Sequence, residues 1–252
     1  VVVEAIDVDD VDRIFDRNDF LKVETSDKPS GKSLPTVDES FGENAQEATD
    51  VVAGVVADLS ASGVPKSFLD SVTGMYVHKE SELDVPALTG NKSRGISLNS
   101  NLVSGAVSDP KQLSELAWSM THEVYHAADF SMGLSDKDSQ FGITIVSERD
   151  QPTVVMGDVM DEIFTNWESG TELGKRFNYP FNDLQKEIND LDKENKGLDV
   201  RYRQEVFAQL GAMFHSNPKL LQEQSPLAYN FIKGIRDSNL KTNNVPEVQS
   251  EG

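Results

Sequence analysis

One short pattern limits what this chain can fold into more than any other. The run Thr121-His122-Glu123-Val124-Tyr125-His126-Ala127-Ala128-Asp129 contains H-E-x-x-H. Residues four apart lie one above the other on a helix, so a helix here lets His122 and His126 offer two imidazoles to one metal ion. Glu123 is turned by about 100° from His122, where it reaches a water beside such an ion rather than the ion itself. The neighbouring residues agree with a helix. Asp109 and Pro110 supply an N-cap and a first-turn proline. Leu113, Leu116, Ala117, Met120, Val124 and Ala127 recur at helical spacing. This predicts one buried face, with His122, His126 and Asp129 on another face left free for a site.

The residue types define a chemistry. Catalytic Zn²⁺ takes three protein ligands, leaves a position for water, and lowers that water's pKa from about 15.7 to about 7. A carboxylate beside it can take a proton during attack on a carbonyl and pass it to a departing amine. Glu123 is the candidate for that work. Only four histidines occur in the chain, and two fall in this pattern. With no cysteine, disulfides and thiolate sites are excluded, leaving histidine and carboxylate to bind one catalytic zinc ion.

The 252 residues suffice for one large domain or two small ones, and a hydrophobic content of 37% leaves room for polar arms. A net charge of −20 opposes nucleic acid and anionic membranes as partners and would attract a basic substrate, although acidity also serves solubility. No stretch reaches the 18 consecutive apolar residues that mark a membrane span. The chain begins at Val1 without methionine, as a processed product or an excised piece would.

In chain order, residues 1–44 read as an N-terminal arm. Val11, Ile14, Phe15 and Leu21 suggest a short amphipathic helix, and a polar linker with Pro29, Gly31, Pro35 and Gly42 follows. The acidic cluster from Asp7 to Asp12 lacks the glycine and glutamate of an EF-hand loop and reads as a solvated helix start. A helix is expected near residues 45–62, with Val51, Val52, Val55, Val56 and Leu59 buried and Gly63 as its stop. Between Val64 and Val103 come short β-prone runs, clearest at residues 74–78 and 95–99. The alternation at 95–99 predicts a strand with one solvated face, suited to pairing with an extended peptide or serving as an ordinary edge. His78 has no partner at ligand spacing. Beyond the metal helix, residues 132–152 read as loop with a β-prone run at 143–146. A helix is expected over 154–167, with a break at Gly170 and Gly174, and a charged helix over 181–195 ending at Gly197.

Two carboxylates compete for the third ligand position, Glu162 and Glu205, and spacing along the chain does not separate them. Glu205 sits on a helix burying Val206, Phe207, Leu210, Met213 and Phe214. That leaves Tyr202, Glu205, Gln209 and Ala212 on a face that can look into a cleft.

The run from Glu205 through His215-Ser-Asn-Pro to Ser225-Pro226 and Phe231-Ile232, with His122 to Asp129, resembles the catalytic domain of the anthrax lethal factor family of zincin metallopeptidases. Kinship with clostridial Pro-Pro endopeptidases follows from the same likeness, which spans roughly residues 50–236. It implies an α+β, zincin-like fold, mostly helical, with a small mixed sheet whose edge strand precedes the zinc-binding helix. Domains follow as arm 1–44, catalytic domain 45–236 with 154–195 as an inserted lid or specificity element, and flexible tail 237–252. It also implies a zinc-dependent endopeptidase with His122, His126 and Glu205 on the metal and Glu123 as general base, acting on an extended peptide. The family's oxyanion tyrosine, two turns before its ligand glutamate, is Leu198 here, and Tyr202 is the substitute on the ligand face. Asp129 would orient a ligand or hold the helix of Glu205, and His215 would be structural. The rival readings are a non-catalytic binding or structural module of a larger toxin or phage protein and a peptidase that cuts its own precursor.

Overall fold

The computed structural model describes residues 36–37, 45–78, 83, 85–136, 154–178, 181 and 197–238. In chain order these form β1 (Thr36–Val37), α1 (Ala45–Ala61), α2 (Lys66–Ser71), β2 (Gly74–His78), β3 (Ala87–Thr89), β4 (Gly95–Asn99), α3 (Ser100–Ala106) and α4 (Pro110–Met132). They continue with α5 (Met156–Glu168), α6 (Glu172–Lys175), α7 (Gly197–Ser216), α8 (Pro218–Gln224) and α9 (Pro226–Asp237). The fold is α+β, mostly helical with a small mixed sheet.

Helix α4 is the axis of the molecule, and its ends follow from local chemistry. The Asp109 carboxylate accepts a 2.9 Å hydrogen bond from the Lys111 amide, and Pro110 occupies the first turn, where its missing N–H costs nothing. Gly133 ends the helix at φ +64°, a left-handed conformation in which a side chain would be strained. The expectation of one free face is corrected. From Ser119 to Asp129 only His122 is not buried, because α7 lies along the face that carries the histidines. A long helix covered on nearly every side holds its side chains in single arrangements, as a site of fixed geometry needs.

The sheet order is β1-β2-β4-β3; β1, β2 and β4 run parallel, and β3 pairs antiparallel with β4. Thr36–Val37, within the expected linker, thus adds an edge strand on β2. The reading of residues 95–99 as an edge strand is corrected, since β3 is the outer strand on that side and β2 flanks the other, whereas the more open face expected of β4 is present in part. Its inward residues Ile96 and Leu98 are fully buried. On its other face Gly95 is covered by the Tyr76 ring and Ser97 is half-buried, 3.1 Å from the His78 Nε2. Tyr76 and Leu88, the cross-strand neighbours of Ser97 on that face, are exposed, so this side of the sheet meets water.

Helix α1 ends as expected, with Gly63 at φ +89° and Val52, Val55 and Leu59 buried. Two helices arise inside the segment read as β-prone. One is α2; the other, α3, begins where the Asn99 side chain accepts from the amides of Asn101 and Leu102 and turns the end of β4 directly into a helix. Helix α5 buries Met156, Val159 and Ile163 in the same apolar core as Leu173, Phe177 and Phe181. The arm helix near residues 11–21, the β-prone run 143–146, most of the charged helix 181–195 and the tail after Ser238 lie outside the described residues.

Candidate metal centre

His122 and His126 leave α4 on one face, one turn apart, and α7 crosses that face so that Glu205 meets both. The two Nε2 atoms are 3.0 Å apart, and Glu205 Oε2 lies 3.5 Å from that of His122 and 3.4 Å from that of His126. Among the described residues this is the one group of three such side chains close enough to share a metal ion. The spacing is itself a test of fit. Ligands about 2.0–2.2 Å from a tetrahedral zinc ion stand about 3.3–3.6 Å from one another. The three separations fall at or near that edge length, and all three atoms are donors of the kind zinc accepts.

The electrostatics run the same way. Burial works against charge on both Glu205 and His126, but their mutual attraction outweighs it. The hydrogen bonds and charges of His122 and His126 hold the Glu205 carboxyl well below the usual range. Glu205, with Glu123 and Asp129, raises the His126 imidazole above its ordinary value. Such a site draws positive charge inward.

Glu123, buried at 7% exposure, is on the turn between the histidines, and its backbone carbonyl accepts a 3.1 Å hydrogen bond from Thr89 Oγ1 of β3. That outer strand is thereby tied to α4 at the turn that carries both histidines. Asp129 does not orient a histidine. Its carboxylate accepts from the Ser135 amide at 2.6 Å and from the Ser135 hydroxyl at 2.7 Å, while the Ser135 carbonyl accepts from Arg203 Nε at 3.1 Å. Arg203 lies on α7 two residues before Glu205, so Asp129 is joined to α7 through Ser135.

Ligand histidines usually donate their second ring nitrogen to a carbonyl or carboxylate. Here both Nδ1 atoms are buried with no partner among the described residues. Aromatic faces hold the rings instead. Trp118 stacks on His122 at 5.6 Å between centroids and 23° between planes, and Phe130 stacks on His126 at 5.6 Å and 17°. Sequence reasoning missed both rings, although the signal was there: Trp118, His122, His126 and Phe130 are each four apart, one continuous row on the helix.

Glu162 is not at the site. Its Oε2 accepts from the Ser225 hydroxyl and from the amides of Leu227 and Ala228 at 3.1 and 3.3 Å, capping the start of α9. Tyr202 sits one turn before Glu205, its ring edge-on to Phe181 at 4.9 Å, and burial raises its phenol above the ordinary value. That contact packs its ring against the apolar core from α7. His215 meets the Tyr125 hydroxyl at 3.0 Å, and His78 is on the sheet, bonded to Ser97. No described helix is long and apolar enough to cross a membrane. Comparison of the chain with protein-family models, with curated proteins and with solved structures found no match.

Proposed function

We propose that this protein is a zinc-dependent endopeptidase of the lethal factor-like zincin type, with His122, His126 and Glu205 as ligands to one zinc ion. The observation that carries the reading is the convergence of the three donor atoms at 3.0, 3.4 and 3.5 Å, with the Glu123 carboxylate on the same helical turn. Zinc, when bound, supplies Lewis acidity that acidifies water and polarises a carbonyl. Glu123 takes the proton from the attacking water and delivers it to the amide nitrogen, which leaves as an amine. The atoms balance as peptide plus water giving acid plus amine. Glu205, held ionised by the histidines, contributes negative charge that favours a divalent cation.

Substrate recognition belongs to β3. It is the sheet edge beside α4, it is joined to the carbonyl of Glu123, and Leu88 on it is 54% exposed. A peptide extended along that edge would pair its backbone there and meet Leu88 with an alternate side chain. The net charge of −20 favours basic peptides among them.

One observation favours the second reading, a non-catalytic module that keeps the metal. Leu198 stands where the family has its oxyanion tyrosine, and the described contact of Tyr202 is with Phe181. The two readings separate in one experiment. Zinc content and cleavage of a randomised peptide library are measured for the native chain and for Glu123→Gln. The endopeptidase reading expects one zinc ion in both proteins and cleavage by the native chain alone. Zinc without cleavage in either protein selects the module, and no zinc in the native chain removes both.

A further inference from the structure

The two helices that carry the ligands meet through one side chain. Tyr125, between His122 and His126 in the chain, is fully buried and lies across α7. Its ring covers Gly211 so closely that a Cβ there would stand 2.2 Å from the nearest ring carbon. Phe207, one turn earlier on α7, is 5.5 Å from it, and His215, one turn later, meets its hydroxyl at 3.0 Å. From the other side Phe68 of α2 abuts it edge-on at 5.0 Å. Phe207, Gly211 and His215 are each four apart, a single row on α7 with a notch at its middle. Tyr125 fills the notch. The glycine sets how near the helices come, and the bond to His215 sets how far one slides along the other.

We propose that Tyr125, Gly211 and His215 form a register lock that positions Glu205 against the two histidines. This rests on the metal reading above and adds how the ligand triangle is held. Glu205 lies six residues before Gly211, about 9 Å along the helix. A shift or tilt of α7 at the notch is carried to it by a rigid rod. The triangle tolerates little, because zinc–ligand distances vary by only about 0.2 Å. A methyl at Gly211 forces a larger displacement than that, since carbon atoms at van der Waals contact stand about 3.5–4.0 Å apart. These three are positioning residues. None touches the reacting atoms.

The test reads metal binding rather than turnover. Zinc affinity is measured by competition with a chromophoric chelator, and the visible spectrum of the cobalt-loaded protein reports ligand geometry, well below the melting temperature of each variant. Gly211→Ala is expected to lower zinc affinity about 10–100-fold, the range seen when a ligand's support is removed, and to change the cobalt spectrum while helical circular dichroism persists. Tyr125→Phe keeps the ring and is expected to lose about 3–10-fold, from one hydrogen bond. Tyr125→Ala is measured alone as well; in Gly211→Ala with Tyr125→Ala, space for the methyl returns, and the loss is expected to be smaller than the losses of Gly211→Ala and Tyr125→Ala combined. Native affinity and an unchanged spectrum in Gly211→Ala and Tyr125→Phe overturn the lock, as does strict additivity of Gly211→Ala with Tyr125→Ala. If Gly211→Ala does not fold, Tyr125→Phe decides alone, and affinity within twofold of native overturns the proposal. Failure of the native chain to bind zinc overturns the metal reading, and the lock with it.

Discussion

Thr89 Oγ1 donates a 3.1 Å hydrogen bond to the backbone carbonyl of Glu123, joining the free edge of the sheet to the helical turn between the two histidines. A buried threonine hydroxyl has no better partner here than a helix carbonyl, and the bond holds β3 at a set distance from the base. Thr89→Val keeps the shape and the β-branching and removes only the donor. It is expected to cost about 1 kcal/mol in urea unfolding and, if a peptide lies along β3, to raise KM several-fold with kcat less affected. An unchanged KM for every peptide cleaved would separate β3 from substrate binding.

Glu205 and Glu162 exchange no roles. Glu205→Gln is expected to lower zinc affinity more than 100-fold, beyond the roughly 10–100-fold that outlying supports give. Glu162→Gln is expected to leave zinc affinity native and to cost about 1–2 kcal/mol of stability, the value of a helix cap. Isothermal titration with zinc and urea unfolding of both variants check this; zinc lost in Glu162→Gln would refute it.

Stacking on Trp118 replaces an outer hydrogen bond for His122. Aromatic pairs are worth about 0.5–1.5 kcal/mol beyond their burial, so Trp118→Leu is expected to weaken zinc about 2–10-fold with little change in helical content. Chelator competition gives the number. A native value would mean that burial alone orients the ring.

His215 makes the fold sensitive to acid. Burial is the main cause that pushes its imidazole down to about 4, and Arg236 adds to it, against a backbone hydrogen bond with Ser62. A histidine lowered in the folded state leaves the unfolded chain binding more protons between the two values. Stability is therefore full above the unfolded value near 6.5 and is lost as pH falls from there towards about 4. Between pH 7 and pH 5 the loss from this one residue is expected to be about 2 kcal/mol. His215→Gln can still accept from Tyr125 and donate to a carbonyl without titrating. Urea unfolding of metal-stripped native and variant proteins at the two pH values should show the native chain losing about 2 kcal/mol more, and equal losses would refute the assignment.

The local signals in the sequence reached far. Asp109, Pro110 and Gly133 mark both ends of α4, and the four-residue spacing of His122 and His126 puts them on one face, because capping and helical periodicity involve only neighbours along the chain. The same holds for α1 with its stop at Gly63 and for the helix at 156–168. Periodicity also contains the row from Trp118 to Phe130. Which carboxylate joins the histidines is another kind of fact. Glu162 and Glu205 both lie on amphipathic helices, and only the packing of α7 on α4, with Tyr125 seated over Gly211, brings one to 3.4 Å while the other caps α9. The sheet edge was decided in the same way: residues 95–99 alternate like an edge strand, but β2 and β3 pair with them on both sides, and β3 is the outer strand there. Asp129 sits on the ligand face by spacing and turns to Ser135 by proximity. A chain's own periodicity sets which side of a helix a residue occupies; what stands opposite is settled by elements that meet only when the core closes.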